Sequence, residues 1–211
     1  PALGIPGIPL GTPLPLRASH REEYTNFGEV DAMDVFADGT WSVTDSLDLT
    51  FGLRGTREDV RSGYEALSFG GLSPLGQVLP AAPGNVGVPN ILFRPVSRRF
   101  VEDSYSSAVG RVVAAYRFSD TLNGYASVSR GRRPDVIEFP AGSNGTPNFI
   151  PAEVVLSYEL GLKGTAFGEA LTYDVAVFDY DYSDFQANVL NPNGIGTITA
   201  NGGNASATGG E

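Results

Sequence analysis

Five arginines carry the most concentrated chemistry in this chain: Arg130, Arg132 and Arg133 in the run SRGRRPD, and Arg98 and Arg99 in PVSRRF. A guanidinium presents a rigid fork of N–H donors that suits carboxylates and phosphates. Arginines grouped in this way could grip an anionic ligand, bind lipopolysaccharide phosphates, or brace neighbouring loops.

Other chemistry has less to stand on. His20 is the only histidine; it lies in a Pro-rich approach, without the Ser or Cys arrangement that would make it a base. Cysteine is absent, so thiolates and disulfides are excluded, and a zinc site lacks its usual ligands. Asp179, Asp181 and Asp184 in DYDYSDFQ could suggest calcium, but the Gly and the closing Glu of a hand-type loop are missing. Those carboxylates are expected to keep the outer end of a strand soluble. The glycine-containing strings follow no βα unit and make no dinucleotide site. No catalytic residue, metal site or cofactor is assigned. The net charge of −10 argues against nucleic acid as a partner.

What must hold the arginines is a set of strands. In VFADGTWSVTDSLDLTFGLR, Val35 to Arg54, the odd positions are Val35, Ala37, Gly39, Trp41 and Val43, then Leu47, Leu49, Phe51 and Leu53. The even positions are Asp38, Thr40 and Ser42, then Asp48, Thr50, Gly52 and Arg54, with Phe36 as the misfit. Side chains of a strand alternate between faces, so this is a hairpin with Thr44, Asp45 and Ser46 in its turn. The pattern returns from Gly110 to Ser129 around Ser119-Asp120-Thr121, and again from Glu153 to Val177 around Ala166 to Glu169.

Turns inside the hairpins are short, whereas the links between them are long: about Glu58 to Arg98, Arg130 to Pro151, and a looser piece from Asn188 onward. Both long links are rich in Gly, Pro, Ser and Asn. Short turns at one end and long loops at the other are how outer-membrane barrels are built. Trp41, Phe118 and Phe167 all fall near the short-turn end, where an aromatic girdle would lie. On that reading the apolar set faces lipid, and Asp38, Arg54, Arg111, Glu159, Lys163 and Asp174 face a lumen. There they line a path for a solute or simply pair across a hydrated wall. The alternative is a soluble or surface β-sandwich for adhesion or carbohydrate binding, its apolar faces turned into a core. Such a sandwich should break the parity somewhere and carry loops of mixed length at both ends.

Several strings resemble successive barrel strands of TonB-dependent outer-membrane receptors. They are DVFADGTWSVTDSLDLTFGLRGTRED, VGRVVAAYRFSDTLNGYASVSRGRRPDVIEF, PAEVVLSYELGLKG, AVFDYDYSDFQ and NGGNASATGGE. They occur in the family's order from about Asp34 to the end. The most specific are Ser129-Arg130-Gly131 with Arg133-Pro134, the Tyr158 to Lys163 strand, and the Phe178 to Gln186 strand.

The resemblance implies an all-β antiparallel meander of about six to seven long strands, with residues 1–211 forming part of a barrel wall. The plug and the remaining strands are expected outside it, since the chain looks like a piece of something longer. A run upstream from about Glu22 should extend the first strand beyond the membrane, and the last residues should open a seventh. The resemblance further implies the outer membrane of a Gram-negative bacterium, with membrane lipid around the wall. It implies a small-molecule or metal-chelate cargo, most often a siderophore–iron complex. Energy would come from the TonB–ExbB–ExbD complex acting through the plug.

Overall fold

The computed structural model of the protein describes residues 20–70, 93–192 and 196–211. The Pro-rich start and the central part of the first long link lie outside the described residues.

Seven strands form one antiparallel sheet: β1 (Arg21–Ser42), β2 (Leu47–Phe69), β3 (Val96–Ser119), β4 (Leu122–Arg133), β7 (Glu153–Ala166), β8 (Leu171–Ser183) and β11 (Ala205–Gly210), in that spatial order. Two short hairpins interrupt the meander without entering the sheet. One pairs β5 (Val136–Glu138) with β6 (Asn148–Ile150), and the other pairs β9 (Gln186–Leu190) with β10 (Thr197–Asn201).

The register carries the alternation read along each strand across the whole sheet. Trp41 lies opposite Leu49, Leu49 opposite Ala114, Ala114 opposite Ala126, Ala126 opposite Leu160 and Leu160 opposite Val177. One face is therefore apolar from β1 to β8. Among the described residues no second sheet covers it, and Trp41, Leu53 and Leu160 remain 60–64% exposed. This is not a sandwich, because its core-facing side has no partner layer.

The upper border of the apolar face runs obliquely. On this face the first polar residue beyond it is Asp31 in β1, Arg57 in β2, Ser106 in β3, Arg130 in β4 and Asp179 in β8. Asp179 falls in the register row of Gly39, so the border climbs from residue 39 to residue 31 of β1 across the sheet. With a rise of about 3.3 Å per residue and about 4.8 Å between strands, a level border corresponds to strands tilted by about 45°. Strand β7 departs from the line, for Leu156 and Val154 continue above it, both half-buried.

Strands β2 and β3 outrun the expectation from the sequence. The link read as Glu58 to Arg98 is strand as far as Phe69 and again from Val96, and the link from Arg130 to Pro151 contains the β5–β6 hairpin. The tail from Asn188 holds β10, which the sequence did not suggest, and β11, the seventh strand expected of the last residues. These segments are polar and alternate imperfectly, yet ladder hydrogen bonds and cross-strand pairs extend the sheet regardless of composition. The buried core is small and sits at this outer end, where Tyr64, Ala66 and Phe139 meet Phe93, Val96 and Val101.

Candidate functional site

The second face of the sheet is polar, and the register sets its charges side by side. Asp38, Gly52 and Arg111 lie in one row, and Gly52 has no side chain to separate the outer two. Arg111 accordingly reaches Asp38 across β2 at 3.0 Å. Arg54 pairs with Asp34 at 2.8 Å, and Thr56 donates to the same carboxylate at 2.5 Å. Lys163 and Asp174, directly opposed on β7 and β8, meet at 2.7 Å. Tyr125 donates to Glu159 at 2.5 Å. The residues singled out in the sequence, Asp38, Arg54, Arg111, Glu159, Lys163 and Asp174, thus share one face, and each is engaged by a neighbour. Phe36 stands on this face too and is 76% exposed.

The five arginines are held by different partners. Arg98 pairs with Glu65 at 3.1 Å and lies over the Phe27 ring. Arg132 is nearly enclosed, at 8% side-chain exposure, between Glu58 and Asp135, both at 2.6 Å. Burial works against its charge, but the two carboxylates overcome this and raise its pKa. Arg133 donates to the carbonyl of Gln186 at 3.2 Å, and Arg130 donates to the carbonyl of Ala108. Arg99, opposite Tyr64, is exposed. Pairing of β4 with β3 stops at Arg130. Beyond that point parity no longer fixes direction, and Arg132 bonds Glu58 and Ser107 of the polar rows although its own position continues the apolar ones.

Around Arg132 the loops close into a rim that the sequence did not reveal. Ser62 donates to the carbonyl of Ile137 at 2.7 Å and Asn26 to that of Phe139 at 3.3 Å. Tyr64 stacks with Phe139 at 5.7 Å between centroids, and burial raises its phenol pKa. Because Asn26, Ser62 and Tyr64 all belong to the polar parity, the β4–β7 connection lies against the inner side of the β1–β2 crest. The β9–β10 hairpin clips onto it. The Gln186 amide donates to the carbonyls of Pro134 and Pro151, and Asn148 to that of Thr199. The one legible signal was Asn144-Gly145, a turn pair whose φ angles are +53° and +79°.

A polar face with charges paired across strands and an uncovered apolar face with an oblique border are the features of a membrane-barrel wall. The family model for the TonB dependent receptor-like β-barrel matches residues 4–211. The chain belongs to this family. Its members are outer-membrane transport receptors of Gram-negative bacteria, not a class of enzymes. Among solved structures, the chain is similar to the ferric yersiniabactin uptake receptor FyuA from Yersinia pestis, with a TM-score of 0.64 and 21% identity. That alignment covers 90% of this chain and 24% of FyuA. The alcaligin outer membrane receptor FauA from Bordetella pertussis aligns over 90% of this chain and 34% of its own, at 18% identity and a TM-score of 0.36. The chain therefore spans about a quarter to a third of these receptors.

Proposed function

We propose that residues 1–211 form part of the wall of a receptor that imports a scarce solute across the outer membrane, a siderophore–iron complex before others. The single observation that carries this reading is the unbroken apolar face from Trp41 to Val177, opposite a polar face on which Asp38 pairs with Arg111, Asp34 with Arg54 and Lys163 with Asp174. The polar face is the lumen in this reading, and the TonB complex supplies the energy through a plug outside this segment. The family assignment and the likeness to FyuA, whose cargo is ferric yersiniabactin, support it.

Of the five arginines, Arg99, which has the polar parity, and Arg133, which bonds a backbone carbonyl, meet no carboxylate among the described residues, and these two are the ones suited to an anionic cargo. Arg132 is the brace of the rim. Cells carrying the full-length receptor should take up radiolabelled iron from a siderophore under iron limitation. A strain deleted for the gene should lose that uptake and regain it with the gene restored. Unchanged uptake in the deletion strain, across a panel of iron chelates, rejects the siderophore assignment.

A further inference from the structure

Arg130 is the first polar residue above the apolar border on β4, in a row with Leu53, Gly110 and Leu156. It is exposed, and among the described residues its guanidinium meets one backbone carbonyl, of Ala108, and no carboxylate. The other strand arginines on this face's outer rows are neutralised. Arg57 has Asp59 at 3.6 Å, Arg61 has Glu102 at 2.9 Å and Arg98 has Glu65 at 3.1 Å.

Beside Arg130 the apolar face is indented. A trough of about 840 Å³ is lined largely by apolar residues, among them Leu53, Val112, Val128 and Leu156, with Arg130 and the mutually paired Asp38 and Arg111 also on its wall. Gly110 is closely packed at its side, since a Cβ at that position would lie 2.7 Å from the Gly52 carbonyl oxygen and 3.4 Å from Leu53 Cδ1. An apolar furrow ending in an uncompensated guanidinium at the hydrocarbon border has the polarity of a lipid: chain below, anion above.

We infer that Arg130 and this trough bind one phosphate-bearing anionic lipid of the outer leaflet, with the phosphate on the guanidinium and an acyl chain along Val112 and Val128. The inference rests on the apolar face being the lipid-facing side. A guanidinium has five N–H donors, so most remain free after the bond to Ala108. It pairs with phosphate through two parallel bonds, a geometry that an ammonium does not reproduce. Asp181 lies in the same row two strands away, about 10 Å along the sheet. Its charge disfavours a second anion there and limits the site to one. A zwitterionic lipid brings its own cation to the same place and gains less.

The test uses the full-length receptor in nanodiscs of equal parts phosphatidylcholine and phosphatidylglycerol, with retained lipids counted by native mass spectrometry. Wild-type protein should hold phosphatidylglycerol in preference by at least about tenfold, the scale of one charge-assisted hydrogen bond. Arg130→Ala should return the ratio to that of the nanodisc, and Arg130→Lys should keep part of it. Equal enrichment in Arg130→Ala, or none in wild type, overturns the site. Displacement of the lipid by millimolar inorganic phosphate also overturns it, as the mark of a free-anion site. Brominated acyl chains in the same nanodiscs read the facing independently, through the fluorescence quenching lost on Trp41→Phe. Without such a difference, the lipid-facing assignment fails, and the site with it.

Discussion

Tyr125 on β4 stands directly opposite Gly161 on β7, and its ring occupies the space that a side chain on Gly161 would need. The glycine lets the ring lie flat across β7, and that brings the hydroxyl to Glu159, two residues along. Lys163, two residues the other way, places its ammonium 5.4 Å from the same ring. One missing Cβ thus organises three side chains of the polar face.

Gly161→Val should therefore displace Tyr125 and destabilise the full-length receptor by about 1–3 kcal/mol, the usual cost of overfilling a packed position. In Tyr125→Ala the valine has room, and the double variant should cost clearly less than the sum of the single ones. Urea unfolding of the reconstituted receptor measures this, and strict additivity would show that the ring does not depend on the glycine.

Facing can be read from arginine substitutions. Val112 and Leu160 lie in the apolar rows, so Val112→Arg and Leu160→Arg should each cost about 2–4 kcal/mol near the bilayer midplane. Thr50, whose hydroxyl meets that of Thr40 on the polar face at 2.8 Å, should tolerate arginine with little loss. Equal cost for all three variants in a folding assay into vesicles would contradict the assigned faces.

The Arg132 brace should behave differently from its neighbour. Arg132→Ala leaves Glu58 and Asp135 facing each other without a counter-charge, at 13% and 18% exposure. Removing one partner of a buried pair costs about 3–5 kcal/mol. The loss should appear as faster hydrogen exchange in residues 134–152, while Arg133→Ala, which gives up a single bond to a carbonyl, should leave that segment protected. Similar exchange in both variants would mean that Arg132 does not hold the rim.

Tyr64 separates shape from polarity. It is fully buried, and its hydroxyl has no partner among the described residues. Tyr64→Phe should be neutral or stabilising, because an unsatisfied buried hydroxyl is removed. Tyr64→Ala should cost about 3–5 kcal/mol by leaving a void beside Phe139. A Tyr64→Phe variant as damaged as Tyr64→Ala, measured by thermal unfolding, would show that the hydroxyl has a role the geometry does not explain.

The sequence by itself determined the faces. Because a strand alternates with a period of two, Trp41, Val112, Leu160 and Val177 were committed to one side and Asp38, Arg111, Glu159 and Lys163 to the other before any pairing was known. The short turns fixed which strands are neighbours. The tertiary structure decided what depends on register and on loops. Registry brings Arg111 to Asp38 across a glycine, and stagger sets the oblique border at which Arg130 emerges. The polar stretches of β2 and β3 became strand because an existing ladder extends them, a cooperative gain invisible to local composition. The rim was hidden for a related reason. Arg132, Glu58 and Asp135 come from distant segments, and where β4 leaves β3 the alternation that had predicted direction no longer applies.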